Sequence, residues 1–147
     1  MLKELLETGY GVKEDLNCAE KILYGANRAY QLGFDRDDLK VAAGFGGGMA
    51  IESVCGALTA SIMVLSRLYV QDRAHESDRI KDLVKELFDL YAEEMGSIIC
   101  APLKEQHRTK ETGCHTVIVK AAEILDTIIA RNQQDASEEV KPGEDSA

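Results

Sequence analysis

The chain has 147 residues, 45% of them apolar, with 17 basic and 26 acidic side chains, four cysteines and a formal net charge of −9. At roughly 150 residues per domain this is one unit, able to bury about two thirds of its surface without disulfides. The acidic balance argues against binding to nucleic-acid phosphates or to an anionic membrane surface, because both depend on clusters of lysine and arginine.

The hydrophobic spacing is helical almost throughout, and no segment alternates with a period of two. Residues 1–8 form a short amphipathic stretch without the apolar core of a targeting segment. Ala19, Ile22, Leu23, Ala26 and Tyr30 make one stripe, with Asn17 placed to cap its start and Gly33 to end it. Asp35 is placed to cap a short helix over about residues 36–43, and the glycines at 44–48 predict a loop. Residues 51–73 read as a long apolar helix. Its most apolar part, 54–70, is interrupted by Arg67 and falls short of the roughly 20 residues a membrane span needs, so a buried central helix is expected. Ser77 opens the next helix, with Ile80, Leu83, Leu87 and Tyr91 on one face, and Gly96 closes it. Residues 97–112, with Pro102, are expected as a connector. A last helix from about Cys114 to Arg131 buries Val117, Ile118, Ala121, Leu125 and Ile128. Residues 132–147 carry a net −4 and no apolar period, which predicts a disordered acidic tail after a domain spanning 1–131.

The expected fold is an all-α helical bundle of about four main helices, with short helices at the N-terminus and in the first crossover. With no targeting or spanning segment, the default compartment is the cytoplasm. There, four cysteines point to metal binding, catalysis or redox chemistry rather than to structural disulfides. Cys18, Cys55, Cys100 and Cys114 contain no C-x-x-C pair, so their position on the helices matters more than their spacing. Cys55 lies near the start of the long helix. The next helix runs back, which returns Cys100 to the same end, and the last helix starts there at Cys114. The crossover at 33–50 is long enough to bring Cys18 to that end as well, since a 16-residue helix is only about 24 Å long. Helix N-termini favour thiolate, which is both the nucleophile and the metal ligand. Against this stands the plain reading of four small buried residues.

Gly44, Gly46, Gly47 and Gly48 crowd the approach to Cys55. They suit either a tight chain reversal or a loop wrapped around the site, with Gly46, Gly47, Gly48 and Gly56 as candidate cofactor contacts. Gly56, Ala60 and Ser61 make a small-residue stripe that permits close approach. His107 and His115 flank Cys114 but read as surface or capping residues. Glu52 reads as a first-turn acid, and no pair of carboxylates suggests hydrolysis.

The combination of Asn17-Cys18-Ala19, the 44–49 glycine run, Cys55-Gly56-Ala57-Leu58-Thr59, Gly96-Ser97-Ile98-Ile99-Cys100 and Gly113-Cys114 resembles the family of redox-active proteins defined by four cysteines and a C-G-A-x-x-G motif (C_GCAxxG_C_C). Ala60 stands where that motif has its final glycine. The resemblance implies a small helical domain with redox or metal chemistry at the four cysteines. Three kinds of site fit: an iron–sulfur cluster for electron transfer, a zinc site with four cysteine ligands, or redox-active dithiols that need no cofactor. The alternatives are a metal-binding or sensing module without turnover, and a helical interaction protein with structural cysteines. A redox partner protein is expected, with a basic face suited to the acidic exterior. A homodimer is compatible with the apolar helices.

Overall fold

The computed structural model describes residues 1–139, and among these every regular element is helical. The α-helices are α1 (Leu2–Glu7), α2 (Cys18–Tyr30), α3 (Arg36–Leu39), α4 (Gly56–Tyr69), α5 (Arg79–Met95), α6 (Cys100–His107) and α7 (His115–Glu139). The all-α bundle read from the pattern is therefore the observed fold. No described helix is long and apolar enough to cross a membrane.

Local chemistry explains most boundaries. Asn17 accepts the Glu20 N–H at 2.9 Å while the Glu20 carboxylate accepts the Asn17 N–H at 2.9 Å, a reciprocal capping box that starts α2. Asp35 and Asp38 repeat the device at α3. Helix α2 ends on Gln31 in the left-handed conformation, two residues before the expected Gly33. Gly96, at φ 84°, closes α5 as expected.

The long helix begins at Gly56, not at residue 51. Gly47, Gly48, Met49 and Ala50 all have φ between 61° and 67°, which winds the chain through a left-handed turn closed by Ser53 N–H to Gly48 O at 3.0 Å. The apolar letters of this segment look like a helix start, yet Ile51 is 77% exposed. The helix also stops at Tyr69 rather than 73. There the Glu76 carboxylate accepts the N–H groups of Gln71, Asp72 and Arg73 at 2.7–3.0 Å, which fixes a turn in place of another helical turn. The expected connector at 97–112 contains α6. Its Pro102 is the third helical residue, where the missing N–H has no partner to lose. Helix α7 continues past residue 131 through 132–139, and the remainder of the expected acidic tail, 140–147, lies outside the described residues.

Helix α4 is the centre of the bundle and packs on α2, α5 and α7, while α5 and α7 also pack on each other. Its face of Gly56, Ala57, Ala60, Ser61 and Val64 is fully buried, and small residues there let α2 come close. Ser61 loses no hydrogen bond by burial, because its hydroxyl donates to Ala57 O at 2.7 Å.

Helix α1 lies across α2 and α7 and buries Leu2 and Leu6. It has no side-chain cap of its own. Instead Asp126 of α7 accepts the N–H groups of Leu2 at 3.0 Å and Lys3 at 2.9 Å, together with the Tyr30 hydroxyl. Burial and the Asp126 charge push the Tyr30 hydroxyl far above its ordinary pKa. Replacing Asp126 with alanine leaves three part-buried donors unpaired. We expect Asp126→Ala to destabilise the protein by about 2 kcal/mol and Tyr30→Phe by less, measured by urea unfolding.

A candidate cysteine redox site

All four cysteines begin helices. Cys18 and Cys100 are the first residues of α2 and α6, and Cys55 and Cys114 immediately precede α4 and α7. Because α5 runs back along the bundle, these four N-termini meet at one end, where the cysteines line a single cavity of about 430 Å³. All four are free thiols. Cys55 and Cys100 are buried, and Cys18 and Cys114 are half-buried.

Backbone contacts set their positions. Val54 and Ile99 form an isolated antiparallel bridge, flanked by Cys55 N–H to Ile98 O at 2.9 Å and Cys100 N–H to Ser53 O at 2.6 Å. The starts of α4 and α6 are thereby fixed side by side. A Cβ at Gly56 would lie 2.5 Å from Phe45 O and 2.7 Å from the Cys18 sulfur, so the missing side chain is what admits Cys18 to the first turn of α4. A Cβ at Gly48 would lie 2.7 Å from that of Cys100. Gly46 packs on Asn17, whose Nδ2 donates to Ala43 O at 3.0 Å and ties the glycine loop to the start of α2. Gly47 and Gly56 line the cavity, whereas Gly46 and Gly48 stand behind it. Among the described residues, no N–H of the glycine loop donates to a cysteine sulfur; the N–H groups acting on Cys55 are those of Ala57 and Leu58.

Burial governs the electrostatics. It pushes the Cys55 thiol from an ordinary 9.0 up to about 12, against the pull of those N–H groups and with help from Cys18 and Cys100. It also raises Cys100, opposed by Lys104, and Cys114, opposed by Arg108, Lys104 and Lys21. Beneath the site Tyr91 is fully buried and donates to Val117 O at 3.0 Å; burial first, then the neighbouring cysteines, raise its pKa. Cys55, Cys100 and Cys114 therefore hold their protons more tightly than a free thiol, and added positive charge would ease their release.

Among the described residues no three His, Cys, Asp or Glu side chains are grouped for one metal ion, so the four thiols line the cavity without converging on a common point. His107 and His115 do not line it, and Glu52 is exposed outside it. The cations Lys21, Lys104 and Arg108 do line it, and the cysteine and glycine motifs gave no warning of them. A signal was present: Lys21 follows Cys18 by three residues and Lys104 follows Cys100 by four, spacings that share a helix face.

The model of one protein family matches residues 16–128; its description is "Putative redox-active protein (C_GCAxxG_C_C)". Neither the search of curated proteins nor that of solved structures returned a match.

Two outcomes follow from this geometry. Gly56→Ala forces Cys18 and the Phe45 carbonyl apart and costs about 1–3 kcal/mol in urea unfolding, more than Ala60→Gly, where no such contact is relieved. The raised pKa of Cys55 means that folding tightens its hold on a proton. That contribution is complete below pH 9 and is lost as pH rises towards 12. Between pH 8 and 10.5 the protein should lose about 2 kcal/mol more stability than Cys55→Ala does, measured by urea unfolding at both values.

Proposed function

The chain belongs to the C_GCAxxG_C_C family of redox-active proteins, and on that footing we propose that Cys18, Cys55, Cys100 and Cys114 form one thiolate centre that holds a small iron–sulfur cluster for electron transfer. The observation that carries this reading is the meeting of four helix starts, each bearing a cysteine, around one cavity of about 430 Å³. Four cysteines are the usual ligand set of such clusters.

When bound, the cluster supplies a one-electron couple. The chain's own residues make a buried thiolate set tolerable. At Cys55 the Ala57 and Leu58 N–H groups in the first turn of α4 act on the sulfur in favour of thiolate. Lys21, Lys104 and Arg108 add positive charge on the open side, while Leu103, Val117 and Ile118 form the apolar part of the wall.

A second reading, redox-active dithiols, is supported by the four free thiols and by their division into a buried and a half-buried pair. In that case two thiols close to a disulfide and give two electrons and two protons to an external oxidant.

The test is anaerobic purification followed by assays of iron, acid-labile sulfide, zinc and free thiols. Iron with sulfide, visible charge-transfer absorption, and loss of that absorption in each Cys→Ser variant are the expected results. Stoichiometric zinc without sulfide would make this a metal-binding module and defeat the electron-transfer reading. Colourless protein with four free thiols would defeat both cofactor readings. A reversible two-electron titration of that protein would establish the dithiol form, and its absence would leave the cysteines structural.

A further inference from the structure

The charge at the cysteine cavity is opposite in sign to the charge of the protein. Lys21, Lys104 and Arg108 line the cavity, and among the described residues Asp15 is its only carboxylate. A second depression of about 390 Å³ lies directly outside, shares Lys104, Arg108 and Gly113 with the first, and adds Lys110 and no acid. Glu105 and Glu111 are neighbours in sequence but line neither space. Among the described residues none of the four cations has a carboxylate within ion-pair distance, as is also true of Lys13, Arg28, Arg36, Arg67, Arg79, Lys81 and Lys85; what distinguishes the four is that they gather at one place. Four cations gathered at one opening stand out on a chain with 26 acidic side chains against 17 basic ones. Two of them, Lys104 and Arg108, sit one turn apart near the end of α6 and at its following residue, facing the gap before Cys114.

We infer that this opening is a binding site for a small anionic ligand, one carrying carboxylate or oxyanion groups, which reaches the cysteines past Lys21, Lys104, Arg108 and Lys110. Screening makes the local charge decisive. At physiological ionic strength a charge is felt over about 8–10 Å, so a reactant at the mouth meets these cations and little of the distributed −9. A cleft where one sign of charge prevails, here three cations against Asp15, raises the local concentration of the opposite sign by about 10-fold. The outer depression of about 390 Å³ falls in the range of small-molecule pockets, so the ligand has room at the mouth without occupying the cysteine cavity itself. The inference rests on the redox reading only in making the ligand a reactant of the cysteines; its binding does not require that reading.

The test compares iodoacetate with iodoacetamide, reagents of similar size that differ in charge. In both reactions a cysteine sulfur displaces iodide, a C–S bond forms and the thiol proton leaves. The full chain is used with its thiols reduced; where iron is present it is first chelated, and retention of the helical circular dichroism is checked. The ratio of the iodoacetate rate to the iodoacetamide rate, relative to that for 2-mercaptoethanol, should be raised about 10-fold and should fall with added salt. Sulfate replacing chloride at constant ionic strength should slow the iodoacetate reaction. The ratio should return to the reference value in the double variant Lys104→Gln, Arg108→Gln. Lys81→Gln, which alters the net charge at a distant position on α5, should leave it unchanged. A ratio at or below the reference, as the net charge acting as a whole would produce, overturns the inference; so does a preference that survives the double variant or ignores sulfate. Failure to find iron or reversible oxidation would sink the redox reading alone, because alkylation needs only the thiols.

Discussion

Two backbone hydrogen bonds, from Cys55 N–H to Ile98 and from Cys100 N–H to Ser53, govern the arrangement of this protein. They join two segments that are far apart in the chain, and each bond leads straight into a helix that starts with a cysteine. An α-helix leaves its first N–H groups without intrahelical partners. Here those open ends are gathered at one place instead of being dispersed to solvent. Helix α4 has to run out and α5 back for the bridge to form, and α7 then starts at the same end. The glycine loop closes the remaining side, because Gly48 and Gly56 are the only way the chain can lie so near Cys100 and Cys18.

The same packing sets a thermodynamic conflict. Helix N-termini favour thiolate, while burial favours thiol, and for Cys55 burial wins by a wide margin. The outer cysteine, Cys114, has three cations around it and the inner one has none among its main influences. The site is thus graded from a screened interior to a positively charged mouth. Such a gradient is what a protein needs if charge is to enter from one side only.

Much of this was legible from residue patterns. The capping signals of Asn17 and Asp35, the closing glycine at 96 and the buried stripes all sit where local chemistry puts them. The convergence of the cysteines was reachable from helix direction and loop length alone. The failures have distinct physical causes. The segment 47–52 has helix-like apolar letters, but its conformation is dictated by contacts with Ser53 and Cys100 that only the folded chain supplies. The short helix α6 carries a proline in its first turn and a weak apolar face, so it left no periodic trace. The basic mouth was hidden by the net charge, which sums over a surface and says nothing of where the cations are placed.

Helix α5 also acts as a ruler. Its 17 residues fix how far the chain travels before Ile98 and Ile99 must meet Val54. Each residue of a helix turns the chain by about 100° and advances it 1.5 Å. Adding or removing one residue in α5 would therefore present the wrong edge of the 97–100 segment to Ser53 and Cys55, even with every core residue preserved in kind. The links at 70–78 and 108–113 carry no such phase. Length variation compatible with the four-cysteine end is confined to those links, whereas inside α5 it must come in whole helical turns.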